Sequence, residues 1–314
     1  MKEKFIRALE NNDIDEMRKV QKSDLHNHAT KGGSRKYIEE WAGISLNSPK
    51  AKFKDLDDMQ QWHHKNLISI FEGTLGYEKR IEAAFVQAKD DGVKVLNMSI
   101  SLGEVCYYDY SVNNLVKALK RIHKTFAPDI IFLPEIALNT FTPIKITEEL
   151  LEQFISQNYF KSMDMYGDEL YIPSFKKIFR KGKENGLILK AHVGEFGDAE
   201  LIRKAVEELE LDQVQHGIAA TNSESVMKYL SYNKIQLNVC PTSNVMLSRV
   251  ENYNVHPIRK LYDNGIKVTI NTDDMLIFDQ SVSEEFFNLY NAGVFNSTEL
   301  NEIRKNGVSV VFNA

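Results

Sequence analysis

The chain is 314 residues long, with 43% hydrophobic and 26% charged residues, the proportions of an ordinary globular protein; wholesale disorder, collagen-like repeats and a coiled coil are excluded. A formal charge of −5 and an isoelectric point near 6.0 argue against a dedicated nucleic-acid or anionic-membrane surface and favour a small-molecule partner. The two cysteines, Cys106 and Cys240, stand too far apart for a CxxC zinc element or a disulfide framework.

Residues 1–21 read as a charged amphipathic helix packing on the body of the protein. They contain no apolar leader core, and no later stretch approaches ~20 uninterrupted apolar residues, so the expectation is a cytoplasmic protein without a membrane span. Ser23 to His28 is the first candidate strand. The long interval 29–92 holds Trp41, Trp62 and the helix-like stretch Asp57 to Phe71, a helical insertion placed to cover whatever lies above that strand.

A recurring joint follows. Asp91-Gly92-Val93-Lys94-Val95, Asn185-Gly186-Leu187-Ile188-Leu189 and Asn264-Gly265-Ile266-Lys267-Val268 each place a glycine after a helix-like segment and before a short apolar run, the αβ junction of a parallel sheet. Ile130 to Leu133, Tyr159 to Met165, Gln213 to Gln215 and Ile235 to Val239 are similar runs without the glycine. Eight candidate strands result, beginning near 23, 93, 130, 159, 187, 213, 235 and 266, one per roughly 35 residues, which suits one βα unit per strand. The expected fold is therefore α/β: a single (β/α)8 TIM-type barrel over 1–314, with a helical insertion after strand 1. No linker-like tract divides the chain, and the apolar run Val308 to Phe312 predicts a short last barrel helix. A doubly wound sheet would want a glycine-rich phosphate turn after its first strand, and Lys31-Gly32-Gly33-Ser34 is neither GxGxxG nor a P-loop.

Four of the eight histidines, His26, His28, His192 and His216, end candidate strands. In His26-Asn27-His28 the imidazoles are two apart on a strand and share a face. Glu195 follows His192 on the next loop, and Asp273-Asp274 closes strand eight. Each has an ordinary alternative: a core or surface histidine pair, a glutamate capping the helix from Ala199 to Glu208, a turn at His216-Gly217, and aspartates at a helix N-cap. Those alternatives predict no preference for one end of the strands, whereas a barrel gathers all C-terminal strand ends at one mouth. Three neutral imidazoles and a carboxylate, His26, His28, His192 and Asp273, suit zinc or another borderline divalent ion with a position left for water. Such an ion supplies hydroxide near neutral pH, with Glu195 and His216 as proton carriers, a combination suited to hydrolysis at an electron-poor C=O or aromatic C–N carbon.

The ordered set Asp24-Leu25-His26-Asn27-His28, Met163 to Glu169, Ala191-His192-Val193-Gly194-Glu195, Gln215-His216-Gly217, Cys240-Pro241-Thr242-Ser243-Asn244 and Asn271-Thr272-Asp273-Asp274 resembles the adenosine deaminase family of zinc-dependent amidohydrolases, over about residues 22 to 290. The carboxylated lysine that ends strand four in other amidohydrolases has no counterpart, since this strand ends in Asp164, and the PCxxC element of cytidine deaminases is absent. The resemblance implies one Zn2+ per chain on His26, His28, His192 and Asp273. It further implies that Glu195 protonates N1 of a 6-aminopurine, His216 orients and deprotonates the attacking water, Asp274 fixes that water and hydrogen-bonds N7, and the Gly167 amide meets N3.

One segment departs from the family pattern. Members that act on adenosine usually carry His-x-His-Leu-Asp-Gly, whose aspartate contacts the ribose 5′ oxygen; here the residues are His26-Asn27-His28-Ala29-Thr30-Lys31-Gly32-Gly33. Thr30 and Lys31, with the Gly32-Gly33 amides, suit a 5′-phosphate or another altered tail; otherwise Lys31 points to solvent. The expected activity is zinc-dependent hydrolytic deamination of a 6-aminopurine compound, adenosine or a close derivative first, with adenine, an adenine nucleotide or an N6-substituted purine as alternatives. Hydrolysis of a non-purine amide or cyclic amidine is a rival reading. So is a non-catalytic nucleoside-binding barrel, which has no reason to keep all six polar groups. Oligomeric state is left open.

Overall fold

The computed structural model describes residues 1–309. Eight parallel strands run in sequence order round one sheet: β1 Lys22–His28, β2 Val93–Ser101, β3 Ile131–Asn139, β4 Ser162–Tyr166, β5 Ile188–Val193, β6 Gln213–His216, β7 Gln236–Val239 and β8 Lys267–Ile270. Helices join most neighbours on the outside, so the architecture is the expected (β/α)8 barrel. No regular ladder joins β8 to β1. The seam closes through an isolated parallel bridge, Asn27 to Asp273, and through the Leu25 amide donating to Asn271 Oδ1 at 2.8 Å. Thr272 reinforces it, its hydroxyl donating to Asp24 Oδ2 at 2.5 Å.

All three expected αβ joints hold their glycine in the left-handed region, Gly92 at φ 69°, Gly186 at 73° and Gly265 at 74°. Strand lengths differ from the sequence expectation. β3 runs on to Asn139, past Pro134 and Glu135, where the apolar pattern breaks. The physical reason lies inside the barrel, whose floor is polar: Glu135 accepts from Lys190 Nζ at 2.9 Å and from the Ser162 hydroxyl at 2.6 Å, and Lys190 also donates to Asn97. Both charged partners are 2% exposed at the side chain, so neither would be tolerated there alone.

The N-terminal segment is two helices rather than one, Lys2–Glu10 and Ile14–Arg18. Asn12 turns into the left-handed region at φ 52°, and Asp13 caps the second helix by accepting from the Glu16 amide at 3.0 Å. The first helix packs on the outer helices Val282–Asn291 and Ser297–Val308, with Phe5 edge-on to Phe286 at 5.1 Å. The helix Ser297–Val308 holds only the start of the run Val308 to Phe312, with Ser309 as its C-cap; 310–312 lie outside the described residues.

The insertion after β1 contains helices Arg35–Ala42, Leu56–Asn66 and Gly73–Asp90; the expected helix over Asp57 to Phe71 stops at Asn66 and gives way to a single 3-10 turn, Ile68–Ile70. Its apolar side forms a second core in which Ile38, Phe53, Met59 and Phe71 meet Leu276 and Ile277, beyond β8. That packing fastens the insertion across the C-terminal end of the barrel. Among the described residues no helix is long and apolar enough to cross a membrane.

Candidate active site

One cavity opens at the C-terminal ends of the strands, lined by His28, His192, His216, Glu195, Asp273 and Asp274, with His26 buried beneath them. His26 Nε2 lies 3.0 Å from His192 Nε2, and His28 Nε2 lies 3.0 Å from Asp273 Oδ1, itself 3.7 Å from His26 Nε2. All four expected ligands therefore converge. His216 Nε2 stands 3.4 Å from Glu195 Oε2 and 3.8 Å from Asp273 Oδ2. Two of these residues are held in a strained backbone: His216 at φ 61° and Asp273 at φ 62° occupy the left-handed region that side-chain-bearing residues seldom adopt.

The outer nitrogens of the imidazoles decide what the inner ones can do. His192 Nδ1 faces Asp164 Oδ2 at 2.9 Å, a close charged contact not aligned as a regular hydrogen bond. His26 Nδ1 faces the Asn238 carbonyl at 3.4 Å. A carboxylate and a carbonyl both call for N–H at Nδ1, which leaves Nε2 a bare lone pair on each ring. Two lone pairs at 3.0 Å repel unless something positive sits between them, so the donor set fits a divalent cation. Cys240 is also close to His26 and His216, but burial pushes its thiol well up, which disfavours the thiolate form.

Glu195 and His216 lean in opposite directions. Burial, reinforced by the charges of Asp273 and Glu169, raises the Glu195 carboxyl well above its ordinary range, so it stays protonated. Burial pushes the His216 imidazole down to about 3, so it stays neutral. His216 Nδ1 meets the Asn244 side-chain amide at 3.1 Å, while the buried Asn244 Oδ1 has no partner. Exchanging the two amide positions lets Oδ1 accept from Nδ1–H and leaves His216 Nε2 free to accept a proton.

Glu169 is a residue whose part the sequence left unassigned. Its carboxylate accepts from four successive backbone amides, Gly194 (2.6 Å), Glu195 (3.1 Å), Phe196 (2.8 Å) and Gly197 (3.0 Å), and so fixes the loop that carries Glu195. The helix Ala199–Leu209 is capped by Asp198, so Glu195 has no capping duty. Ser99 Oγ lies 2.9 Å from His28 Nδ1; its part, and those of Asp164 and Asn244 as partners of site histidines, were not assigned from the sequence, because each meets its histidine only across the barrel.

Of the substrate-facing candidates, Thr30, Lys31, Gly167 and Asp274 line the cavity, whereas Gly32 and Gly33 do not: the Gly32 carbonyl turns away to accept from Asn27. Gly167 has φ 117°, and a Cβ there would come within 2.4 Å of Thr140 Oγ1, so only glycine brings its amide to this wall. Thr30 lies on the β1 side. Lys31 does not point to solvent: Nζ donates to Asp274 Oδ2 at 3.0 Å, with 20% of the side chain exposed. Leu56, Met59 and Gln60 of the insertion complete the roof.

The adenosine deaminase family profile matches residues 109–313. A relative in Treponema pallidum, assigned as an adenosine/adenine deaminase, is 31% identical over 281 residues, spanning 89% of this chain and 93% of that one. The adenine deaminase of Arthrobacter aurescens is similar with a TM-score of 0.78 at 23% identity over 92% of both chains. An Arabidopsis N6-mAMP deaminase is similar with a TM-score of 0.80 at 14% identity over 93% of both. At such identities the structural likeness is one of fold.

Proposed function

Because this chain belongs to the adenosine deaminase family, hydrolases acting on C–N bonds in cyclic amidines, we propose that it removes the 6-amino group of adenosine or a close purine derivative, giving the inosine-type product and ammonia. The observation that carries this reading is the pairing at 3.4 Å of a carboxyl that burial keeps protonated, Glu195, with an imidazole that burial keeps neutral, His216, beside the three-histidine and aspartate cluster. An acid and a base pushed apart in pKa at one site are the two proton carriers that hydrolytic deamination needs.

His26, His28, His192 and Asp273 would hold one zinc ion per chain. Bound there, zinc supplies a Lewis acid that lowers the pKa of water to ~7. Glu195 gives its proton to N1 of the purine and so draws electron density from C6. His216 Nε2 accepts a proton from the attacking water, and Asp274, one oxygen held by Lys31, accepts from that water and keeps it in line on the N7 side of the ring. The Gly167 amide donates to N3, fixing the ring in its plane. The water oxygen bonds to C6, the C6–N6 bond breaks, and the amino group leaves as ammonia with the proton that His216 took from the water, while the hydroxyl proton of the new C6–O group returns to Glu195 as the carbonyl forms.

The names of the relatives widen the set of substrates to adenine and to N6-methylated AMP. Ammonia release measured across adenosine, adenine, 5′-AMP, S-adenosylhomocysteine and N6-methylated purines tests the proposal. At least one should be turned over by zinc-loaded protein; no release from any of them overturns it.

A further inference from the structure

The purine contacts proposed above follow the strands round the mouth of the barrel. Glu195 follows β5, Gly167 follows β4 and Asp274 follows β8. On a purine, N1, N3, N9 and N7 succeed one another round the perimeter. With N1 at β5, N3 at β4 and N7 at β8, N9 faces the remaining arc of β3, β2 and β1. The cavity wall on that arc carries Ala137, Ser101, Thr30 and one carboxylate, Glu104.

Glu104 stands in the 3-10 turn Leu102–Tyr108, directly after β2. The Tyr77 hydroxyl donates to its Oε2 at 2.6 Å. Tyr77 is fully buried and stacks on Tyr107 at 4.7 Å, which makes it a rigid strut. Burial pushes the Glu104 carboxyl up to about 7, and beyond the Tyr77 strut its other oxygen keeps lone pairs for a further donor. Cations near the arc are already engaged or walled off. Lys31 is matched by Asp274, and Arg80 lies over the Phe71 ring at 5.1 Å, off the cavity wall.

We infer that Glu104 is a specificity-determining residue, accepting a hydrogen bond from a neutral donor on the N9 side of the purine and excluding a 5′-phosphate. The donor is N9–H in a free base or a sugar hydroxyl in a nucleoside; a phosphate there would bring its charge against a partly buried wall without an unmatched cation. The family aspartate that Thr30 lacks is thus replaced from a different strand. This inference rests on the purine orientation of the proposed function.

The test is steady-state ammonia release from adenine, adenosine and 5′-AMP by zinc-loaded wild type, Glu104→Gln and Glu104→Ala, with Tyr77→Phe as a variant that keeps Glu104 and removes its strut. In the wild type, kcat/KM for 5′-AMP should fall roughly 100-fold or more below the better neutral substrate, and which of the two is better identifies the donor. Glu104→Gln should narrow that gap roughly tenfold and raise KM for the neutral substrate with kcat nearly unchanged. Tyr77→Phe should raise KM in the same direction with zinc content intact. Wild-type use of 5′-AMP as good as that of the neutral substrates, or an unchanged KM in Glu104→Gln, overturns the inference while leaving the deaminase reading standing. Failure of the wild type to act on any purine overturns both.

Discussion

His26 and His192 bring their Nε2 atoms to 3.0 Å across the barrel, from β1 and β5, with Asn238 O and Asp164 behind them demanding the opposite tautomer from a simple hydrogen bond. That mutual repulsion is what a cation relieves. Purified protein should therefore carry about one zinc per chain, and His192→Ala should lose it. Elemental analysis decides: full metal retention in the variant refutes the ligand assignment.

Glu195→Gln keeps the shape of the side chain and removes the transferable proton. Metal content should be unchanged and kcat should drop by ~10² or more. Unaltered turnover would take Glu195 out of the reaction.

Glu169 acts on the same step through the backbone. Glutamine at this position presents N–H groups to amides that need acceptors, so Glu169→Gln should let the Gly194–Gly197 loop move. We expect kcat to fall roughly tenfold or more with zinc intact, because the general acid is misplaced rather than absent. A variant with wild-type kcat would reduce Glu169 to a structural brace of no consequence for the reaction.

Lys31→Ala removes the counter-charge of a nearly buried Asp274. Activity on every purine tested should drop together, by roughly tenfold, because the lost partner is the protein's own carboxylate. A rise in KM confined to nucleotides would instead point to a phosphate contact and contradict the pairing seen here.

His256 provides a stability test away from the site. Burial pushes its imidazole down to about 3, its Nδ1 accepts from the Ile258 amide at 3.1 Å, and Nε2 has no partner. The unfolded chain protonates it near ~6.5. Since the folded state binds this proton less readily, the stabilisation is complete above ~6.5 and is lost as pH falls from there toward 3. His256→Asn, which retains an acceptor for the amide, should show a shallower decline of Tm between pH 6.5 and 4.5 than the wild type. Parallel Tm curves would exclude His256 as a source of acid lability.

The amino-acid sequence alone determined the barrel and the identity of the chemical groups. Glycine joints such as Asn185-Gly186 require a left-handed residue between helix and strand, and histidines two apart on a strand must share a face; both are local constraints, readable without a neighbour. Polar positions inside the barrel were not legible in this way. Nothing local marks Glu135 and Lys190 as buried, because each is tolerable there only against the other, and they are paired from β3 and β5. The same holds at the site: Lys31 reads as a solvent or phosphate lysine until Asp274, 243 residues further on, is placed beside it, and Glu104 gains meaning only when the ring order sets β2 on the arc between β4 and β8. Short-range geometry is written in the order of residues, whereas pairing across the barrel depends on strand register and closure, which only the packed structure decides.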